Sequence, residues 1–320
     1  MKIVVLDGFT LNPGDLSWKE MMDFGDLTVY DRTLPEEIVE RSKEAEVLLT
    51  NKTVIGADVI DRLPLLKYIG VLATGYNVVD LPAAKRRGII VTNVPAYSTD
   101  SVAQMVFAHL LNITQRVGHY ADEVREGKWC AQSDFSYWNT SLIELVGKKI
   151  GIVGFGHTGQ ATAKIAGSFG MEVYVYTSKA QHELPGNIRK SGLDELFATC
   201  DVVSLHCPLN ESTHEMVDGS RLSLMKSDAI LINTGRGGLI DEKALATALK
   251  EHKLLAAGLD VLQSEPPLPD NPLLKLPNCF ITPHIAWATK EARMRLMKQV
   301  IANVKAYISG NPINNVLKND

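Results

Sequence analysis

Three strand-to-helix junctions late in the chain each set one charged or titratable side chain among turn-forming residues. Asn233-Thr234-Gly235-Arg236-Gly237-Gly238 holds an arginine between glycines. Asp260-Val261-Leu262-Gln263-Ser264-Glu265-Pro266-Pro267 holds a glutamate in a proline turn, and Thr282-Pro283-His284-Ile285-Ala286-Trp287 holds a histidine. Taken singly, these are a surface cation, a solvated carboxylate and a satisfied core histidine. Taken together, a forked cation, a carboxylate and an imidazole can anchor an anionic substrate while a proton is given or removed. Each follows an apolar run that reads as a strand, and ligands in open α/β sheets bind at the carboxyl ends of the strands. The three are therefore expected to converge on one cleft.

A second constellation precedes them. Gly154-Phe155-Gly156-His157-Thr158-Gly159 follows the strand-like Lys149–Val153 and leads into the helix-like stretch 160–169. In that context the first glycine permits a tight turn and the second lets the backbone approach a pyrophosphate. The third lets helix and strand pack closely, and the helix N-terminus offers its N–H groups to the phosphates. Gln160 stands where a triphosphate-binding loop needs lysine. The next strand, Glu172–Tyr176, ends in Thr177-Ser178-Lys179 rather than in the acid that usually holds a ribose 2′-hydroxyl, and no acid follows until Glu183. Hydroxyls with a cation suit a 2′-phosphate better, a modest lean toward NADP(H) over NAD(H).

These junctions need sheets to hold them. Short β-branched runs recur about every twenty residues with helical patterns between, as parallel βαβ units require. The first set spans 2–7, 27–31, 47–51, 68–74 and 89–94. The second spans 149–154, 172–177, 202–207, 229–234, 256–261 and 279–283, six strands in all. Val102, Met105, Val106, Leu110, Ile113 and Val117 mark one long amphipathic helix, with Ser98, Thr99 and Asp100 as capping candidates. Met297, Val300, Ile301, Val304 and Ile308 mark another, stopped by Gly310 and Pro312. A helix that follows the last strand of the second sheet is expected to return to the first. The predicted division is thus a discontinuous substrate domain, residues 1–100 with 289–320, and a cofactor domain, residues 101–288. Residues 118–147 show weak periodicity but carry Tyr120, Trp129, Phe135, Tyr137 and Trp138, which suits either packing on their own subunit or an arm reaching a second one.

Composition narrows the class. In 320 residues, 33 Lys+Arg against 37 Asp+Glu give a net charge of −4, which supplies no positive field for a nucleic acid. Lys85-Arg86-Arg87 before Gly88 reads as a helix end complementing the dipole. No apolar run reaches the roughly 18 residues that cross a bilayer, and no secretory signal is apparent. Cys130, Cys200, Cys207 and Cys279 show no metal-ligand spacing and read as reduced thiols, so a cytoplasmic enzyme without a metal is expected.

With those residues assembled, the chain resembles the D-isomer-specific 2-hydroxyacid dehydrogenases from end to end. The resemblance is carried by Gly154–Gly159, Asn233–Asp241 (NTGRGGLID), Gly258–Pro266 (GLDVLQSEP) and Thr282–Trp287 (TPHIAW), with Gly70–Asp80 (GVLATGYNVVD) like the family's substrate-carboxylate loop. The pattern is most similar to glycerate dehydrogenases, also called hydroxypyruvate reductases. It implies two Rossmann-like parallel-sheet domains, a flavodoxin-like substrate domain and a six-stranded dinucleotide-binding domain, with a cleft between them that closes before transfer. It implies His284 as acid and base, Glu265 orienting it and favouring its charged form, and Arg236 pairing with the substrate carboxylate. The backbone at Ala73, Thr74 and Gly75 would hold the carboxylate's other side. Cofactor contacts would come from Gly154, Gly156, His157, Thr158, Gly159, Thr177, Ser178, Lys179, Cys207, Pro208, Thr213, Thr234, Gly235, Asp260, His284 and Ala286, with Asp260 toward the nicotinamide carboxamide. Hydroxypyruvate reduced to D-glycerate is the expected reaction, glyoxylate also fitting, in a homodimer formed through the cofactor domain and the 118–147 arm. A reductase for another 2-keto acid, a short-form phosphoglycerate dehydrogenase, and a nicotinamide-sensing corepressor-like binding protein stand as alternatives. His157-Thr158 and the missing ribose acid depart from the usual pattern.

Overall fold

In the computed structural model, which describes residues 1–318, the chain divides into two compact units: Met1–Ser98 with Trp287–Asp320, and Thr99–Ala286. The first unit holds a five-stranded, all-parallel sheet of β1 (Lys2–Val5), β2 (Asp26–Val29), β3 (Val47–Thr50), β4 (Tyr68–Val71) and β5 (Ile90–Thr92), ordered β2-β1-β3-β4-β5. That is the flavodoxin-like order. The central strands β3 and β4 are buried at every residue, because parallel sheets carry helices on both faces. The helix Lys290–Ile308 covers one face. Its Leu296, Met297, Val300 and Val304 share a core with Ile3, Val5, Leu49 and Tyr68. It begins at Thr289, whose side chain accepts from the Ala292 N–H, and Arg293 is held to Asp15 by two charge-assisted bonds of 2.7 and 2.8 Å. Ile308, in its last turn, is exposed rather than part of the buried stripe. The helix Leu81–Arg86 ends with its basic residues before Gly88, which takes φ +66°.

The second unit holds seven parallel strands: β6 (Lys149–Val153), β7 (Glu172–Tyr176), β8 (Ile188–Lys190), β9 (Val202–Leu205), β10 (Ile230–Asn233), β11 (Ala256–Leu259) and β12 (Cys279–Ile281). Their order is β12-β11-β10-β9-β6-β7-β8, with the strand sequence reversing direction at β6. The expected six strands become seven because β8 escapes sequence patterning. It is a three-residue edge strand, Ile-Arg-Lys, with only Ile188 buried.

The long helix is also shorter than its periodicity suggests. It runs Thr99–Gln115, then Arg116 adopts a left-handed φ of +49° and a separate helix, Val117–Arg125, begins. Val117 is 70% exposed and belongs to no buried stripe. The 118–147 segment therefore opens as a helix. Its remainder is tied by its own side chains: the buried Glu123 carboxylate accepts from Lys128 Nζ, Asn139 Nδ2 and Tyr137 OH, and Trp129 Nε1 donates to Phe135 O.

Candidate functional site

The glycine-rich turn is dictated by what a side chain would strike. Gly154 takes φ +95°, and a Cβ there would lie 2.7 Å from Cys207 N and His206 C. A Cβ on Gly159 would lie 2.2 Å from the Gly154 carbonyl oxygen. Gly156, between them, would meet nothing within 4 Å, so it faces open space rather than packing. The helix His157–Ser168 starts at this glycine with no side-chain cap, leaving its first-turn N–H groups aimed at that space. It starts three residues earlier than patterning suggests, which makes exposed His157, half-buried Thr158 and buried Gly159 its first turn.

The other expected cofactor residues follow strand ends of the same sheet. After β7, Lys179 N–H donates to Thr177 Oγ1 and the Lys179 ammonium lies 5.7 Å from the centre of the Phe155 ring, above the glycine turn; Ser178 is exposed beside it. After β9, the Cys207 thiol, its pKa raised by burial, points to Met216 Sδ at 3.6 Å, and Thr213 Oγ1 donates to the Pro208 carbonyl. After β10, Thr234 Oγ1 is buried without a hydrogen-bond partner among the described residues. A dinucleotide fits this edge on two grounds: Gly156 leaves room where a pyrophosphate must approach, and Thr234 offers an unspent hydroxyl.

The three charged residues follow β10, β11 and β12, which are adjacent strands. His284 Nδ1 lies 2.6 Å from Glu265 Oε2, and Glu265 Oε1 accepts from Leu262 N–H at 3.2 Å. His284 takes φ +53° and its N–H donates to Asp260 O. Asp260 is 1% exposed, and its carboxylate accepts from Thr282 Oγ1 and the Ile285 and Ala286 N–H groups. The expected pair thus forms. Arg236 does not join it: its exposed guanidinium donates to Gly235 O. Buried Asn233 fixes the arginine's backbone from both sides, accepting from Gly235 N–H and donating to Arg236 O. Sequence reasoning passed over Asn233, although an asparagine closing an apolar strand before Gly is itself a turn signal.

In the first unit, Ala73, Thr74 and Gly75 follow β4. Thr74 Oγ1 donates to Val94 O, and the Ala73 and Thr74 carbonyls accept from Val94 N–H and Asn93 Nδ2. The N–H groups of residues 73–75 donate to no partner among the described residues. Successive unpaired N–H groups in a turn suit an anion. No cluster of three or more metal-ligating side chains occurs among the described residues.

The sequence profile for the NAD binding domain of D-isomer specific 2-hydroxyacid dehydrogenases matches residues 107–286, more than half of the chain. The chain belongs to that family. Among its relatives, a hydroxypyruvate reductase from Blautia hydrogenotrophica is 48% identical over 99% of this chain and 100% of its own length. A glycerate dehydrogenase from Methylorubrum extorquens is 39% identical over 98% of both. Among solved structures, an acyclic imino acid reductase in complex with NADPH and D-Arg superposes with a TM-score of 0.86 at 34% identity, covering 99% of this chain and all of that one. As a 2-hydroxyacid dehydrogenase, the protein is an oxidoreductase acting on CH–OH groups with a nicotinamide cofactor. Among the described residues, no helix is long and apolar enough to cross a membrane.

Proposed function

We propose that this dehydrogenase reduces hydroxypyruvate to D-glycerate, with glyoxylate as a second substrate. The observation that carries the chemistry is the 2.6 Å contact between His284 Nδ1 and Glu265 Oε2 at the carboxyl edge of the cofactor sheet. With Nδ1 committed to the carboxylate, Nε2 is the nitrogen that gives its proton to the developing alkoxide, and takes it back in the reverse direction. Bound nicotinamide supplies or accepts the hydride. Arg236 pairs with the substrate carboxylate through its forked donors, and the N–H groups of Ala73, Thr74 and Gly75 bind the carboxylate's other side. Asp260 and Ala286 shape the nicotinamide end of the cofactor site. In this reading residues 1–100 with 289–320 form the substrate domain and residues 101–288 the cofactor domain.

For the coenzyme we favour NADP(H). The first acid after β7, Glu183, is spent on the Ala180 N–H at 2.6 Å, while Lys190 Nζ donates to Lys179 O at 2.6 Å. Lys190 thus joins Lys179, Thr177 and Ser178 after β7, a set of cations and hydroxyls that supports a 2′-phosphate in this reading. The unpaired state of all four cysteines supports a cytoplasmic location. Trp129, Phe135 and Trp138, exposed on the 118–147 arm, support a homodimer that covers them.

The test is loss of nicotinamide absorbance with purified protein, running NADPH and NADH in parallel on hydroxypyruvate, glyoxylate and pyruvate. Fastest turnover on hydroxypyruvate with NADPH is the expected result. Faster turnover with 3-phosphohydroxypyruvate would move the assignment to a short phosphoglycerate dehydrogenase. Tight cofactor binding with no turnover on any 2-keto acid would replace the enzyme by a nicotinamide-sensing binding protein.

A further inference from the structure

The turn that carries His284 is tied down by side chains of the helix Thr99–Gln115. Asp260 Oδ1 accepts from Thr282 Oγ1 at 2.6 Å and from Ile285 N–H at 2.9 Å, and Oδ2 accepts from Ala286 N–H at 2.8 Å. The Asp260 carbonyl accepts from His284 N–H at 2.8 Å. One residue thus wraps the turn around itself and holds His284 at φ +53°, a conformation side chains seldom adopt unless their surroundings impose it. The helix closes the wrap at both ends: Ser101 Oγ donates to Ala286 O, and His109 Nε2 lies 3.0 Å from Thr282 Oγ1.

His109 is 4% exposed on a helix face otherwise lined by Val106, Phe107, Leu110 and Ile113. An aliphatic residue would fill that place without burying a polar ring, so the imidazole needs a reason to be there. Gly258 of β11 makes its room, since a Cβ at that position would lie 2.8 Å from His109 Cβ. The direction of the chain follows from proton counting. Thr282 has one hydroxyl proton, and it is donated to Asp260 Oδ1. The Thr282 oxygen must then accept from His109 Nε2–H. Burial holds the His109 pKa below its ordinary value, which favours the neutral ring.

We infer that His109 is a positioning residue for the acid–base pair. By donating to Thr282 it aims that hydroxyl at Asp260, and Asp260 in turn holds His284 in register with Glu265. The inference rests on the proposed role of His284 and adds a residue to it from a helix that supplies none of the site residues expected from the sequence.

His109→Leu removes the donor at similar volume, and His109→Gln keeps an N–H donor within reach. Each is compared with the parent protein in kcat and KM for hydroxypyruvate, in cofactor Kd by nicotinamide fluorescence, and in the histidine ¹H–¹³Cε1 spectrum, with His284 assigned from His284→Ala. The expected result is an about tenfold lower kcat in His109→Leu, KM and cofactor Kd within about twofold, a moved His284 resonance, and recovery of both in His109→Gln. Wild-type kcat and an unmoved resonance in His109→Leu would overturn the inference, as would equal impairment of His109→Gln. Should His109→Leu not fold, Thr282→Val against Thr282→Ser tests the same link, with loss expected only in the valine variant; equal behaviour of the two overturns it. If the parent turns over no 2-keto acid, the proposed reaction fails while the resonance comparison still decides the coupling.

Discussion

Gly237→Ala isolates what holds Glu265 in place. A Cβ at Gly237 would lie 1.9 Å from Leu262 C, 2.0 Å from Leu262 O and 2.4 Å from Gln263 N. Cβ atoms essentially never approach closer than 3.0 Å, so the Leu262–Gln263 peptide must retreat by about 1 Å, and being backbone it carries its loop along. Leu262 N–H donates to Glu265 Oε1, and Gln263 N–H donates to Glu242 Oε1 at 2.6 Å. A displacement of that size spoils a 2.6 Å contact between Glu265 and His284. Misplacing a catalytic group by about 1 Å costs roughly a hundredfold in rate, or about 2.7 kcal/mol of barrier. Overpacking adds a stability loss of about 1–3 kcal/mol. The adjacent Gly238→Ala is the control, because its Cβ would crowd the Leu209 methyl tips at 2.9 and 3.3 Å, which can swing away, and would meet His214 Cδ2 at an ordinary 3.8 Å. The assay is kcat, KM and cofactor Kd on both variants, with thermal melts alongside. A Gly237→Ala protein with near-parental kcat, or a Gly238→Ala protein equally impaired, would refute the reasoning.

Gly156→Ala should melt like the parent, because its Cβ meets nothing in the protein, yet weaken cofactor binding more than tenfold by titration; unchanged affinity would remove the glycine turn from the cofactor site. His284→Ala should lose orders of magnitude in kcat with cofactor Kd retained, and near-parental turnover would remove the proton-transfer role. Arg236→Ala should impair reduction of every 2-keto acid tested, an effect confined to one substrate arguing against a carboxylate anchor. Burial of the His206 ring lowers its pKa to about 4 from 6.5. Between those values the unfolded chain binds a proton that the fold refuses. Stability contributed by this ring is thus complete above pH 6.5 and declines as pH falls toward 4, by about 3 kcal/mol at the lower end. Urea midpoints at pH 7 and pH 4.5 should differ less in His206→Gln than in the parent, and equal differences would exclude His206 as the source.

The site was legible in the sequence wherever one residue type has one structural use. Gly154 is glycine because of its positive φ and the backbone of residues 206 and 207, and the turn chemistry around Arg236, Glu265 and His284 marks strand ends unmistakably. Hydrophobic spacing also placed both sheets, since fully buried strands such as β9 and β10 are apolar apart from Ser204 and the terminal Asn233. What stayed hidden depends on neighbours distant in the chain. A three-residue edge strand such as β8 buries too little to leave a pattern. Periodicity carried through Arg116 because a left-handed residue that is not glycine or asparagine gives no warning. His109 reads as an interruption of an apolar helix face until Thr282, 173 positions away, is set beside it.

The return of the helix Lys290–Ile308 to the first sheet has a consequence for synthesis on the ribosome. Residues 99–286 form an uninterrupted segment whose core is complete once its last strand emerges. The preceding unit is not complete at that point, since Ile3, Val5, Leu49 and Tyr68 still await Leu296, Val300 and Val304. At about 5–20 residues per second those early strands wait roughly 10–40 s for their covering helix. The segment that comes second in sequence therefore matures first in time, and over the last stretch of that wait, roughly 1–5 s, the nascent chain carries a finished nucleotide fold while the sheet of its first unit still lacks a cover.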